Sequence, residues 1–421
     1  MKDPQRLTRY HLFLTLVTFL GWAISAMDAS LFFFIGPSIM ERFDFDLQTL
    51  GYISGAGFLL AIIFSFVVGP IMDYLGRKIV FQWILVLVTL GTFSSGVAWN
   101  FTSLVIYRLI ATGSAFAEYA VGATILVESV PKRHRGWIIG IMAAGWPAGT
   151  AFAGIITQYS IPVLGWRSAF FIATIPAFII IVIRLFVEEA DEFKEESIAR
   201  NNRFISLNEK SFYKFFLYII GELKNKFISI YREVLSGRNL YNTVLVSTYI
   251  NSFVVSYSLL IWFAPYWMRD AFGFNLFETT NIVVLGSLVS VIGFISCGWI
   301  GGHFGIFKTN LIFLPISVLL IIWMNHFDNT LHLFLVGYFL WSFFGSGLWG
   351  IIPRLFTEKF HTSIRGAAAS LNSASCWLGW AIICIFSSYI LENIGYSKVI
   401  LISSIALFPV ALIASWFLTK D

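Results

Sequence analysis

Three charged side chains lie inside stretches that are otherwise apolar and rich in small residues. Asp28 follows the segment FLGWAISAM, and Arg108 and Glu118 belong to RLIATGSAFAEYAVGATILV, which begins at residue 108. A charge in an apolar environment costs free energy unless a partner or water compensates it. A guanidinium can bind a carboxylate through two parallel hydrogen bonds, and a carboxyl group can take up and release a proton. These residues are therefore candidates for binding an anion and carrying a proton.

The spacing of Arg108 and Glu118 argues against a direct contact between them. Ten residues of α-helix correspond to about 15 Å along the axis and a turn of nearly 80°. We therefore expect each residue to have its own partner or water, with Asp28 as the companion of Arg108. Two roles stay open for Arg108: it binds the carboxylate of a solute, or it only pairs with Asp28 and fixes helix packing.

The composition places these charges in a membrane protein. Of 421 residues, 58% are hydrophobic and 12% are charged, and the mean hydropathy is +0.80. Soluble domains carry about 25% charged residues. The 44 Phe, 15 Trp and 16 Tyr residues suit lipid contact and interfacial anchoring. The net charge of +5 is therefore no signal for nucleic acid.

Twelve apolar runs are long enough to cross a bilayer, which requires about 20 residues each. They centre on residues 12–37, 50–70, 79–98, 102–127, 136–158, 168–187, 242–266, 281–301, 309–325, 331–352, 365–388 and 398–418. The first run is too long for a removable signal peptide. We predict an all-α membrane protein of twelve transmembrane helices, divided into an N-terminal six-helix half (1–187), a linker (188–240) and a C-terminal six-helix half (241–421).

The long break between the halves contains EEADEFKEE and SFYKFFLYIIGELKNKFISIYREVL. The second piece alternates aromatic residues with Lys and Glu, which is typical of an amphipathic helix at a membrane surface, and its charges exclude a thirteenth span. A plain cytoplasmic linker is the alternative interpretation.

The distribution of Lys and Arg predicts the orientation, because cytoplasmic loops carry more of them. With the N-terminus inside, nine basic residues of the short loops lie inside and four outside. We expect a multi-pass protein of the plasma membrane with both termini in the cytoplasm.

The two halves resemble each other in sequence. A shift of 229 places Gly69 on Gly298 and Gly76 on Gly305, and a shift of 230 places ESVPKRHRG at residue 128 on EKFHTSIRG at residue 358. Gly165 falls on Gly395 by the same shift. The halves therefore read as parallel copies of one unit, which predicts a central site exposed alternately to the two sides of the membrane.

These motifs resemble the major facilitator superfamily. Its loop signature between helices two and three is matched by Gly69, Asp73, Gly76, Arg77 and Lys78, and its helix-four pattern by Arg108 and Gly113. The resemblance covers almost the whole chain. It implies the major facilitator fold, with two pseudo-symmetric halves, and a secondary active transporter.

Three segments also resemble the sialate:proton symporters and related carboxylate porters. They are AEYAVGATILVESVPKRHR (117–135), GWRSAFFIATIPAFIIIVIR (165–184) and LGW…MD (20–28). The symporters typically carry two acids three residues apart in helix one, whereas here Ser25 precedes Asp28. The resemblance thus favours a proton-coupled organic-acid porter over a strictly sialate-specific one.

The residues and the resemblance together give a candidate site. Asp28 is the expected proton carrier and Glu118 a second proton site or polar contact. Helices one, four and seven are expected to line the cavity. The candidates for substrate contact are Arg108, Tyr119, Asn251, Tyr257 and Asn372. The resemblance implies a cytoplasmic gate formed by Asp73, Gly76, Arg77, Lys78, Glu128, Arg135, Glu358 and Arg365. The alternative role of the gate residues is to set the topology. The alternative role of the polar residues within spans is to form hydrogen bonds between helices.

Other classes of function lack support in the sequence. The six histidines and three cysteines show no metal-ligand spacing, and no phosphate-binding GxxxxGK[ST] loop is present. We expect no catalytic or metal site, no cofactor, and no nucleic-acid partner. The expected partners are a small organic acid, protons and the lipid bilayer, and the chain is expected to be monomeric. Neutral sugar or polyol uptake, metabolite or drug export by proton antiport, and a membrane sensor remain alternatives.

Overall fold

The chain was analysed as a computed structural model, which describes residues 6–188, 221, 225, 227–386, 389, 390 and 393–420. Within these ranges all regular secondary structure is helical. Twelve helical segments are long and apolar enough to cross a membrane, which confirms the predicted number. In chain order these spans, numbered 1 to 12, are Arg9–Phe43, Leu47–Met72, Arg77–Gly96, Phe101–Ser129, Lys132–Leu164, Trp166–Arg184, Gly237–Phe272, Leu276–Phe304, Ile306–His326, Leu331–Thr357, Arg365–Ile385 and Tyr396–Thr419.

Several spans extend beyond their apolar runs because polar residues cap their ends. The side chain of Thr8 accepts a hydrogen bond from the backbone of His11, so span 1 begins at Arg9. The side chain of Asn100 caps span 4 in the same way. Side-chain caps satisfy backbone N–H groups that the first helical turn leaves without partners. The helix of span 2 continues to Leu75.

The internal repeat is visible in the backbone of four loops. Gly76 and Gly305 have φ angles of +105° and +88°, and Gly165 and Gly395 have φ angles of +74° and +81°. A side chain at such φ values clashes with the backbone, which explains why glycine stands at these corners. Each pair occupies the matching turn of its half, before spans 3 and 9 and before spans 6 and 12. The predicted pair of pseudo-symmetric six-helix halves is therefore confirmed.

The spans differ in how much of their surface is covered by protein. In span 4, 89% of the most apolar window is buried, whereas in spans 9 and 12 the share is 33%. Large apolar side chains point outward from the peripheral spans, among them Ile175, Ile402 and Leu319. Such a surface suits contact with lipid chains. Span 4, which carries Arg108 and Glu118, lies in the interior.

The first and last described residues, Arg6 and Lys420, lie on one side of the bundle, because the number of spans in the described part of the chain is even. We call it the terminal side and the other the far side. That the terminal side faces the cytoplasm stays a prediction, as do the boundaries of the two halves and the linker.

The described end of the linker, residues 227–235, packs into a seam of the bundle on the terminal side. Ile230, Tyr231 and Val234 are buried in a cluster that includes Phe360 of the loop before span 11. The ring of Tyr231 stacks on Phe66 of span 2 at 4.3 Å between centroids. Its hydroxyl donates a hydrogen bond to the backbone carbonyl of Phe66 at 2.5 Å. This end of the predicted amphipathic helix thus joins span 2 to the start of span 11, while the segment EEADEFKEE lies outside the described residues apart from Glu188.

Candidate functional site

Asp28 and Arg108 form a buried ion pair between spans 1 and 4. Arg108 Nη1 donates to Asp28 Oδ1 at 2.7 Å, and Nη2 donates to Oδ2 at 3.0 Å. The hydroxyl of Thr92 donates to the same Oδ1 at 2.6 Å. Both charged residues are 1% exposed. Asp28 is thus the companion of Arg108, as the sequence predicted, in a bidentate geometry that suits a guanidinium.

The second buried carboxylate, Glu118, also has its own cation. Arg184 Nη2 donates to Glu118 Oε1, and Ser25 donates to Oε2 at 2.6 Å. Arg184 also donates to the backbone carbonyl of Phe81 at 2.5 Å. The prediction that Arg108 and Glu118 do not meet is confirmed. Arg184, at the end of span 6, was missed by the sequence analysis.

A central cavity of about 1110 Å³, including its mouth, lies between the two halves. Its wall includes Arg108 and Thr112 of span 4 and Tyr257 of span 7. Arg108 is the only charged side chain among the described residues that line it. Most of the remaining wall consists of aromatic rings and hydroxyl groups that the sequence analysis did not select: Ser30, Phe58, Phe116, Trp146, Thr150, Trp262, Ser287, Ser290, Tyr338, Ser342, Ser346 and Trp380.

The residues predicted to contact substrate fall into three groups. Arg108 and Tyr257 line the central cavity, whereas Tyr119 lines a smaller one beside it. Asn251 donates to the backbone carbonyl of Ser247, and Asn372 bonds with Ser247 and the carbonyl of Ala368. Neither asparagine belongs to the wall of the central cavity in this conformation. Their role in binding stays a prediction.

On the terminal side, the bundle is shut by short distances between the backbones of the two halves. A Cβ added at Gly136 in span 5 would lie 2.6 Å from Gly302 Cα in span 8, and one added at Gly298 would lie 2.8 Å from Gly140 Cα. Between spans 2 and 11, a Cβ at Gly69 would lie 2.9 Å from Ala367 Cα. Glycine allows these approaches because it has no side chain.

The predicted gate residues gather on this side and partly join the halves. Glu128 pairs with Arg77 at 3.2 Å, and Arg365 of the other half approaches it to 3.8 Å. Glu358 pairs with Arg354 at 2.9 Å. Glu358 and Arg365, both assigned to the gate in the sequence analysis, therefore have ionic partners other than one another: Arg354 and Glu128.

The other gate residues make backbone contacts. Arg135 donates to the carbonyl of Val130 and Lys78 to that of Leu185, and Gly76 directly precedes span 3 at positive φ. The side chain of Asp73 lies outside the described part of the chain. A gating function for the set stays a prediction.

The variant Gly298→Ala is expected to weaken closure on the terminal side. The added methyl group meets the backbone of Gly136 and Gly140 in span 5, which cannot move away as a side chain can. Spin labels at Arg133 and Phe304, at the ends of spans 5 and 8, should report a longer distance in this variant. Gly122→Ala is the matched control, since its methyl group meets only side chains at ordinary contact distances, Met142 at 3.5 Å and Thr18 at 3.9 Å. Identical distance distributions in both variants would contradict the prediction.

The family follows from a comparison with known proteins. A family model described as Major Facilitator Superfamily matches residues 18–324, which is more than half of the chain. This chain belongs to the major facilitator superfamily. Its twelve spans make it a multi-pass membrane protein, and its class is secondary transporter rather than enzyme.

Curated members of the superfamily resemble this chain over most of its length. The niacin transporter NiaP of Acinetobacter baylyi strain ADP1 is 24% identical and covers 96% of this chain and 92% of its own. The sialic acid transporter NanX of Escherichia coli K12 is 25% identical, over 84% of this chain and 80% of its own.

Solved structures support the fold. The proton:xylose symporter XylE superposes with a TM-score of 0.76 at 15% identity and covers 98% of this chain and 95% of its own. The human organic anion transporter MFSD10 superposes with a TM-score of 0.78 at 13% identity, over 96% and 99% of the two chains. At these identities the likeness concerns the fold alone.

Proposed function

We propose that this superfamily member is a proton-coupled symporter of a small organic anion, either a monocarboxylate or a sialate-like sugar acid. One observation carries the proposal: Arg108 stands in the wall of the central cavity, and Asp28 holds it in a bidentate pair. A carboxylate from the cavity would compete with Asp28 for the same guanidinium. Arg108 Nε is buried and has no hydrogen-bond partner among the described residues, so one donor of the guanidinium is unsatisfied in this conformation.

The charge of the site gives a physical reason for coupling. Asp28 and Arg108 together are neutral when both are ionised. An entering monoanion would add one uncompensated negative charge at a site whose residues are 1% exposed, which is costly. Protonation of Asp28 restores neutrality and frees the guanidinium for the solute. One proton per monoanion therefore keeps the charge of the loaded site equal to that of the empty site.

Membrane voltage favours the same stoichiometry. Moving one charge across 100 mV costs or releases about 2.3 kcal/mol. An anion that enters a cell with a negative interior moves against this voltage, and a proton that moves with it cancels the charge. A pH difference then drives uptake. With the terminal side in the cytoplasm, as the distribution of Lys and Arg predicts, the central cavity lies between the outside and the closed terminal side.

The rest of the wall suits a ring that carries polar groups. Phe116 lies 5.5 Å from Trp146 between ring centroids, and the guanidinium of Arg108 lies 5.0 Å from the centroid of Phe32. Aromatic walls favour flat or apolar faces of a ligand, and a few hydroxyl groups orient its polar atoms. The relatives named for niacin and sialic acid are named for carboxylic acids, which is consistent with this class of substrate.

Uptake into proteoliposomes tests the proposal. With an acidic exterior, nicotinate, 4-hydroxybenzoate or sialate is expected to accumulate inside, whereas nicotinamide and xylose are not. Nicotinamide keeps the ring of nicotinate and lacks its negative charge, so it is the matched control ligand. The pH difference should collapse faster when the transported acid is added.

The alternatives give other results in the same assay. Accumulation of xylose would favour neutral sugar uptake, and movement of a solute against the proton flow would favour export. A membrane sensor would bind a solute without counterflow. Accumulation of an acid to the full extent with neither a pH difference nor a voltage would refute proton coupling.

A further inference from the structure

A second, smaller cavity adjoins the central one on its terminal side. It encloses about 280 Å³, counting all the space between its wall atoms, and is walled by residues of both halves, including Tyr119 and Trp349. Trp146, Tyr257 and Trp380 line both cavities and therefore form the partition between them. The small cavity thus lies between the Arg108 cavity and the closed terminal side, on the path that alternating access must open.

Four polar groups around this cavity have no hydrogen-bond partner among the described residues. They are the hydroxyl of Tyr119 and the indole N–H groups of Trp22, Trp349 and Trp377. The residues are between 1% and 7% exposed. A buried donor without a partner costs about 1–3 kcal/mol, so four at one place call for an explanation.

The four side chains form one cluster with Tyr119 at its centre. The centroid of its ring lies 4.9 Å from that of Trp22, 6.1 Å from that of Trp349 and 6.4 Å from that of Trp377. All four side chains line the small cavity. The side chains that carry these donors therefore form one cluster at the small cavity rather than scattered helix contacts.

The chemistry of these donors selects the kind of group that they can bind. An indole N–H only donates, and a tyrosine hydroxyl donates or accepts. The complementary group is rich in acceptors, and a carboxylate offers about four lone-pair positions on two oxygens. No charged side chain lies among the described residues of the small cavity, in contrast to Arg108 in the central one. Neutral donors orient a carboxyl group and release it more readily than a guanidinium does.

We propose that Tyr119, Trp22, Trp349 and Trp377 form a second binding position, which receives the carboxyl group of the substrate after it leaves Arg108. This inference rests on the proposed function. It assigns Tyr119 to the second binding position, whereas Tyr257 belongs to the partition between the two cavities. The substrate reaches it when the partition formed by Trp146, Tyr257 and Trp380 opens. The two positions bind in sequence, the charged one first and the neutral one second. While Asp28 stays protonated, the positive charge of Arg108 in the adjoining cavity balances the negative charge of the substrate.

The test removes donors and keeps an aromatic ring at each position. Tyr119→Phe and the double variant Tyr119→Phe/Trp377→Phe are compared with Trp341→Phe, which removes another buried indole without a partner but lies outside the small cavity. Equilibrium binding of nicotinate in detergent reports on the Arg108 position. Counterflow of labelled nicotinate in liposomes reports on passage. The same melting temperature in the double variant and the control shows that folding is intact.

We expect nicotinate binding within twofold of wild type in all variants and counterflow about tenfold slower in the double variant, with a smaller loss for Tyr119→Phe. Counterflow in the double variant equal to that in Trp341→Phe would overturn the second position. Binding that falls as much as counterflow would overturn it too, because the donors would then act in the first binding step. If wild-type protein neither binds nor moves nicotinate, 4-hydroxybenzoate or sialate, the proposed function fails first and this inference fails with it.

Discussion

The variant Asp28→Asn is expected to lose proton-driven accumulation and to keep exchange. Asparagine can still accept hydrogen bonds from Arg108 and Thr92, which reach Asp28 Oδ1 at 2.7 and 2.6 Å, but it cannot take up a proton. The site then carries one positive charge when empty and becomes neutral with a bound monoanion. Loaded protein can therefore change conformation without a proton. The empty, charged form is expected to return slowly.

Two transport measurements separate these steps. One proton per monoanion allows about tenfold accumulation for each pH unit of difference, since a unit is worth 1.36 kcal/mol. Wild-type liposomes should approach that ratio, and Asp28→Asn liposomes should stay near equal concentrations inside and outside. Counterflow of labelled substrate at zero pH difference should persist in the variant.

The matched control for this experiment is Asp270→Asn. Asp270 undergoes the same chemical change at an exposed ion pair with Arg269, where the side chains are 50% and 62% exposed. Normal accumulation is expected there. If Asp28→Asn also accumulates substrate normally, Asp28 is not the proton carrier. In that case either Glu118 carries the proton or neither of these two carboxylates does.

The fold was accessible to sequence analysis because its signals are local. An apolar run of the required length specifies a span, and the repeated glycines Gly76 and Gly305 specify matching corners. The ten-residue spacing of Arg108 and Glu118 was equally local, since helix geometry fixes their relative direction. Each of these predictions depends on short distances along the chain.

Arg184 shows where local signals end. It is the last residue of span 6, a position at which a basic residue is usually read as a topology signal. Its side chain instead turns into the bundle, where it lies 3.5 Å from the ring centroid of Phe81 and contacts Glu118. Gly21 leaves the space, because a methyl group there would overlap with both members of the pair. Only the packing of spans 1, 3, 4 and 6 determines this direction.

The residues that line the cavities could not be predicted from the sequence for the same reason. Trp146 and Trp380 come from different halves and meet only after the halves associate. Ser287 and Ser290 look like ordinary small residues of an apolar span. Asn251 and Asn372 stood out as polar, yet their side chains bond to groups on their own or neighbouring helices. Polarity identified candidates, and side-chain direction decided which of them reach the cavity.

The variant Arg184→Met is expected to be strongly destabilised. It leaves Glu118 buried without its cation, and removing one partner of a buried ion pair costs about 3–5 kcal/mol. The double variant Glu118→Gln/Arg184→Met should regain most of this loss, because no charge remains and glutamine can still accept the hydrogen bond from Ser25. Thermal unfolding in one detergent compares the three proteins. Arg269→Met is the matched control, since breaking an exposed pair costs about 0–1 kcal/mol.

The double variant also decides between the two carboxylates as proton carriers. If it recovers stability and accumulates substrate under a pH difference, Glu118 is a structural partner of Arg184 and proton coupling is left to Asp28. If it is stable but fails to accumulate substrate while counterflow persists, Glu118 takes part in coupling. An Arg184→Met protein that unfolds at the same temperature as Arg269→Met would refute the structural role of the pair. Asp28→Asn, at the pair with Arg108, is thus expected to lose proton-driven accumulation. Arg184→Met, at the pair with Glu118, is expected to lose stability against unfolding.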